Sequence, residues 1–251
     1  MDKSVTIDYE LDWGSRIKSD YAINHITDKL LEIFDSHNAK GTFFISSEIL
    51  PKHDKFVRQI SSHGHEIASH GYHHTFNYDE LTRDELYNEM KTSKESLENL
   101  IQKQVVGFRT PAFKRNKYSD EILEELGFLY DSSTAKIPLK GRYKPMQYAN
   151  SKSLKYIAIS SIYDRYPAGV KWINLFGLKL TGGEPYIIYA HPFDFVSITQ
   201  VIKLYDRNKI PPHILLYYIA RRGSILKTFS KCIQDSQPII NIINKEQKQD
   251  G

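Results

Sequence analysis

Five histidines fall between residues 63 and 74, and the densest run is His70-Gly-Tyr-His-His74. His70 and His74 are four apart, so one helical turn would put both imidazoles on one side, where they could share a divalent cation. The same run also reads as a polar surface patch, with His63, His65 and His73 crowding nearby. Two histidines do not complete a metal site, and a third ligand is needed. The single cysteine, Cys232, excludes both an intrachain disulfide and a thiolate cage, so a carboxylate is the natural partner. Asp8-Tyr-Glu-Leu-Asp12 offers three. In an extended chain Asp8 and Glu10 share one face and Tyr9 takes the other. Two carboxylates on one strand end are costly in a core unless paired or bound to metal. They read equally as ordinary loop acids. Arg109, in Gly-Phe-Arg-Thr-Pro111, could orient a carboxylate bidentately or lie on the surface. His191, in Tyr-Ala-His-Pro-Phe-Asp194, follows a very apolar run, a setting in which a lone histidine is more often structural.

The elements that must position these groups alternate between two periods. Strands are expected over Ser4 to Tyr9, Gly41 to Ile45, Glu66 to Ser69, Val105 to Arg109, Phe128 to Tyr130 and Tyr186 to Ala190. Helices are expected over Tyr21 to His37, Lys52 to Ser62, Asp79 to Lys103, from a Ser119 cap to Gly127, and over Ser224 to Ile233. Such alternation predicts a parallel sheet, open or closed into a barrel, with chemistry at the C-terminal strand ends. Each polar group above sits at such an end. The stretch from Thr134 to Gly183, rich in Tyr, Lys and Pro, reads as loops and short strands roofing a groove. The domain is expected over residues 1–243, with a frayed polar tail over 244–251.

The chain has 251 residues and a formal net charge of +4, which suits one α/β domain and gives no footprint for nucleic acid. No run is long enough to span a bilayer. The opening Met1-Asp2-Lys3 leads directly into Val5-Thr6-Ile7, which reads as a cytoplasmic chain with no leader. Lys136, Lys140, Arg142 and Lys144 in the roof could meet a diphosphate. The apolar run Ile214 to Ile219, followed by Arg221 and Arg222, fits peripheral membrane contact. The oligomeric state is left open.

Five segments in order resemble the motif blocks of the polysaccharide deacetylase family, the NodB-homology proteins of carbohydrate esterase family 4. They are residues 6–10, 64–74, 107–113, 127–133 and 189–194. The resemblance implies a distorted (β/α) barrel of about seven parallel strands and one divalent metal, most often zinc. It makes Asp8 the catalytic base, His70 and His74 metal ligands, Arg109 the arginine that holds the base, and His191 the general acid. Asp131 would match an aspartate that tunes that histidine. Many members carry two adjacent aspartates in the first block, the second a ligand. Here Tyr9 stands in that place, so Glu10, on Asp8's face, becomes the third ligand, ahead of Asp12. The implied reaction is removal of an N-acyl group, chiefly N-acetyl, from an amino sugar in surface glycan or glycan-precursor biosynthesis, the sugar borne on a nucleotide or lipid carrier. A cyclic-amide or ureide hydrolase on the same scaffold, an inactive carbohydrate-binding relative and a closed structural zinc site are the competing readings.

Overall fold

The structure, a computed structural model, describes residues 2–75, 77–134, 151–162, 166–167, 180–181, 185–220 and 225–249. Seven parallel strands form a curled half-barrel in the order β10-β1-β2-β3-β4-β5-β6. They are β1 (Lys3–Tyr9), β2 (Thr42–Ile45), β3 (Glu66–Ser69), β4 (Gly107–Phe108), β5 (Tyr130–Asp131), β6 (Lys155–Tyr156) and β10 (Tyr186–Ala190). The short strands β7 (Ser161–Ile162), β8 (Tyr166–Pro167) and β9 (Leu180–Thr181) pair antiparallel as a separate ribbon. The distorted (β/α) barrel expected from the sequence is thus the fold observed.

Helices cover the outside of the sheet: α1 (Tyr21–Ser36), α2 (Leu50–Ser62), α3 (Arg83–Ile101) and α4 (Ser119–Glu125). After β10 come α5 (Ile198–Lys203), α6 (Pro212–Ala220), α7 (Ile225–Ile233) and α8 (Ile239–Gln249). β1 is the centre. Its register puts Thr6 beside Thr42 and Ile188 beside Val5, and it is buried on both faces from Ser4 to Tyr9, as expected for a strand roofed by helices. Val5, Ile7 and Tyr9 face the helices, and the Tyr9 hydroxyl bonds Thr27 of α1 at 2.6 Å. Thr6, Asp8 and Glu10 face the concave side with Phe44 and Arg109.

Several ends differ from the sequence reading. The long third helix starts at Arg83, because Thr82 and Glu85 form a reciprocal capping box and Tyr78–Glu80 makes its own tight 3-10 turn. Ser119 is the first helical residue of α4 and does not cap it by side chain; its hydroxyl accepts from the Asn116 amide at 3.0 Å. The polar tail expected from residue 244 is instead the end of α8. Ile239, Ile242 and Ile243 bury one face of that helix, and Lys245–Asp2 (2.8 Å) and Glu246–Lys155 (3.2 Å) tie its far turns to the body. A second, smaller core lies beyond the C-terminal strand ends: Trp13, Phe193, Val196, Val201 and Ile210 pack together, joined by Ile214 and Leu215.

Candidate active site

Asp8, Glu10, His70, His74, Arg109 and His191 meet at the C-terminal ends of β1, β3, β4 and β10. Glu10 is 3% exposed, and its Oε2 lies 2.8 Å from His74 Nε2 and 3.4 Å from His70 Nε2. The His70 Nδ1 sits 2.7 Å from the Arg109 carbonyl, which can only accept, so Nδ1 carries a proton and Nε2 is the nitrogen turned toward Glu10. Glu10 Oε2 is buried between the two imidazoles. A buried carboxylate oxygen and two imidazole nitrogens converging in this way need a proton or a cation between them. Burial alone would raise the Glu10 carboxyl, but His74, His70 and His191 outweigh it and hold the group well below the usual carboxylate range. One carboxylate and two imidazoles within 4.8 Å of one another fit a divalent metal and leave coordination positions open.

The convergence of His70 and His74 has a different cause from the one read in the sequence. Residues 70–74 are not helical. The chain leaves β3 and bends at Gly71, whose φ is +75° and whose missing Cβ would stand 2.8 Å from the Tyr78 hydroxyl. The amides of Ser47 and Glu48 then bond the carbonyls of Gly71 and Tyr72 at 3.0 and 2.8 Å, and Glu48 Oε1 accepts from the His74 amide at 3.3 Å. The loop is clamped from the β2 end, and that clamp, not a 3.6-residue period, brings the imidazoles together.

Asp8 stands beside the cluster. Its Oδ1 accepts from Arg109 Nη1 at 2.5 Å, and its Oδ2 lies 3.8 Å from His191 Nε2. Arg109 is fully buried, and it also donates to Thr6 Oγ1 (2.9 Å), Ser132 O (3.2 Å) and Ser132 Oγ (2.9 Å), with its guanidinium 3.9 Å above the Phe44 ring. Its side chain therefore fixes Asp8 while its carbonyl fixes His70. His191 Nε2 lies 3.9 Å from Glu10 Oε1, and Nδ1 lies 3.2 Å from Asp194 Oδ2. Burial alone would push the His191 imidazole down, but Asp194, Glu10 and Asp8 outweigh it and raise the group above the ordinary histidine value.

Five sequence candidates lie elsewhere. Asp131 does not reach His191; it pairs with Arg115 Nε at 2.8 Å and accepts from the Ser133 amide at 2.8 Å. The carboxylate that holds His191 is Asp194, which the sequence reading missed. Its signal was present as an acid three residues after a turn-starting residue, the spacing of a capping box, and Asp194 Oδ2 accepts from the His191 amide at 2.9 Å. Asp12 accepts from the amides of Tyr21 (3.0 Å) and Ala22 (3.1 Å) and so closes the start of α1. His63, His65 and His73 bind Asp35, the Gly41 amide and Glu89 away from the cluster. Thr6 and Ser132, the hydroxyls that hold Arg109, fall inside the first and fourth motif segments but were not singled out as site residues. Lys136, Lys140, Arg142 and Lys144 lie outside the described residues.

Residues 5–130 match the profile of a family described as polysaccharide deacetylase. The matched stretch holds Asp8, Glu10, His70, His74 and Arg109 and ends before His191. Among curated proteins, the chain is 36% identical over 98 residues to a peptidoglycan-N-acetylglucosamine deacetylase of Bacillus cereus, covering 39% of this chain and 33% of that protein. It is 26% identical over 102 residues to the peptidoglycan-N-acetylmuramic acid deacetylase PdaA of Bacillus subtilis, covering 41% and 38%. The matched stretch thus spans little more than a third of those relatives. Of solved structures, peptidoglycan deacetylase PdaC from Bacillus subtilis superposes with a TM-score of 0.57 over 99% of this chain and 93% of its own, at 12% identity, a likeness of fold.

Proposed function

The chain belongs to the polysaccharide deacetylase family, and from that premise we propose that it is a zinc-dependent amidase that removes an N-acetyl group from an amino sugar of a glycan. The observation that carries the reading is the buried meeting of Glu10, His70 and His74 with a second carboxylate, Asp8, held beside it by Arg109. Glu10, His70 and His74 would hold the metal, which supplies Lewis-acid polarisation of the amide carbonyl and stabilises negative charge as it develops on that oxygen.

The chain's own residues supply the proton transfers. Arg109 occupies Asp8 Oδ1, so Oδ2 is the atom that takes a proton from the attacking water. As the water oxygen bonds the carbonyl carbon, the C–N bond must break, and an amine anion is a very poor leaving group. His191, kept protonated by Asp194, donates its Nε2 proton to that nitrogen. The products are a carboxylate and a free amine, and the proton taken by Asp8 is returned to solvent. Tyr9 does not argue for an inactive relative. It turns away to Thr27, and Glu10, not residue 9, faces His70 and His74.

The test is acetate release from N-acetylglucosamine oligomers and from peptidoglycan fragments, using protein stripped of metal and reloaded with Zn²⁺. Asp8→Asn is expected to keep zinc stoichiometry and lose about 10²- to 10⁴-fold in rate, the usual contribution of a general base. Zinc-loaded wild-type protein that releases acyl from neither substrate overturns the proposal.

A further inference from the structure

The small core beyond the strand ends carries an outer face that the chemistry above does not use. It is built from α5 and α6, which pack against each other and against Trp13, three residues after Glu10. Val201, Ile210, Ile214 and Leu215 turn inward. Ile198 and Ile202, one turn apart on α5, remain 39% and 53% exposed, and Leu216 on α6 is 65% exposed. Large apolar side chains this open are few among the described residues. Apart from these three they are Leu129 and Leu226, so the exposed apolar surface gathers on this lobe. The cations gather there too. Lys203, Arg207 and Lys209 are exposed around Ile202, and Arg221 and Arg222 follow α6 in the chain. Residues 198–222 contain five Lys or Arg against one Asp, an excess of four. That excess equals the net charge of the entire chain, so the remainder is neutral.

We infer that the α5–α6 lobe docks on an anionic membrane surface, with Ile198, Ile202 and Leu216 in the interfacial layer and Lys203, Arg207 and Lys209 against the headgroups. Exposed apolar side chains with exposed cations on the same lobe are complementary to that surface and to few others. A second copy of the chain is disfavoured, because a symmetric contact would bring two sets of Lys203, Arg207 and Lys209 together. Contact would be peripheral: among the described residues no helix is long and apolar enough to cross a membrane. The lobe grows from the same strand ends as the candidate site, from the turn Pro192–Phe195 after His191 and from the loop after Glu10. Docking therefore sets the site beside the lipid headgroups.

The inference concerns binding and stands independently of the amidase reading. The test is flotation of the 251-residue chain with vesicles of phosphatidylcholine alone or with 40% phosphatidylglycerol, using the Asp8→Asn variant beside wild type so that turnover plays no part. Both proteins are expected to float with the anionic vesicles only, and less so as salt rises. Lys203→Ala with Arg207→Ala should weaken partitioning by about 25-fold, at about fivefold per cation. Ile202→Ser with Leu216→Ser should weaken it by about tenfold or more, with thermal melting unchanged because both side chains are exposed. Equal binding to neutral vesicles, no binding to anionic ones, or a dimer in sedimentation velocity that Leu216→Ser dissociates would each overturn it.

Discussion

Replacing Arg109 tests the site's architecture most directly, because one side chain there holds two different jobs. The guanidinium is fully buried and donates to Asp8, Thr6 and twice to Ser132. Arg109→Met removes the charge but keeps much of the volume, and it leaves Asp8, 2% exposed, without its ion-pair partner. Removing one member of a buried pair costs about 3–5 kcal/mol. Arg109→Lys keeps the charge and can still reach Asp8, but a lysine has no fork to reach Ser132 as well. The Ser132 hydroxyl still has the Ile157 carbonyl at 2.9 Å, so the loss falls mainly on the Ser132 carbonyl and should cost about 1–3 kcal/mol. Urea unfolding of metal-free protein reads both. A cycle with Asp8→Leu then isolates the pair, and the double variant should be more stable than Arg109→Met alone, since it no longer buries a lone carboxylate. If Arg109→Met costs under about 1 kcal/mol, or if the two substitutions simply add, Asp8 does not depend on Arg109 and the argument that Arg109 holds the base in place fails.

Other outcomes follow from the same geometry. Glu10→Gln should weaken zinc binding by at least about 100-fold, more than loss of an outer partner costs, whereas Asp12→Ala should leave zinc affinity intact and destabilise the start of α1 by about 1–2 kcal/mol; isothermal titration with unfolding curves separates them. Asp194→Asn should move the alkaline limb of kcat/KM to lower pH, because Asp194 holds the His191 pKa up and activity is lost as that proton leaves; an unmoved limb refutes the assignment. Burial pushes the His65 imidazole down to about 3. Below its ordinary value of 6.5 the unfolded chain takes a proton that the folded chain refuses, so stability is complete above that pH and should fall by about 2 kcal/mol by pH 5. His65→Gln should flatten that slope in pH-dependent unfolding, and parallel curves would exclude His65 as its source.

Alternation in β1 was enough to place Asp8 and Glu10 on one face and Tyr9 on the other, because a period of two survives whatever packs around it. The strands Glu66–Ser69 and Tyr186–Ala190 were legible to the residue, being short apolar runs fully enclosed in a parallel sheet. His70 and His74 were paired correctly for the wrong reason. Their approach depends on Gly71 and on a clamp from Ser47 and Glu48, contacts between segments that no local period encodes. The same limit hid Asp194, Thr6 and Ser132. Charge misled at the C-terminus: a polar run from residue 244 suggested fraying, yet ion pairs to Asp2 and Lys155 fasten it as helix.

The place of β10 in the sheet has a consequence for the order in which the molecule is assembled. β10 pairs with β1, matching Val5 to Ile188, so one edge of β1 stays open until a strand far later in the chain docks. Closing so long a loop is slow, and it exposes the β1 edge meanwhile. Glu10, His70 and His74 all lie at or before residue 74, beside strands that pair with near neighbours, so their meeting does not wait for β10. His191 follows β10 and joins them only when that strand docks. On the proposed reading the candidate ligands would meet before the proposed proton donor, and turnover would wait for β10 rather than for the metal.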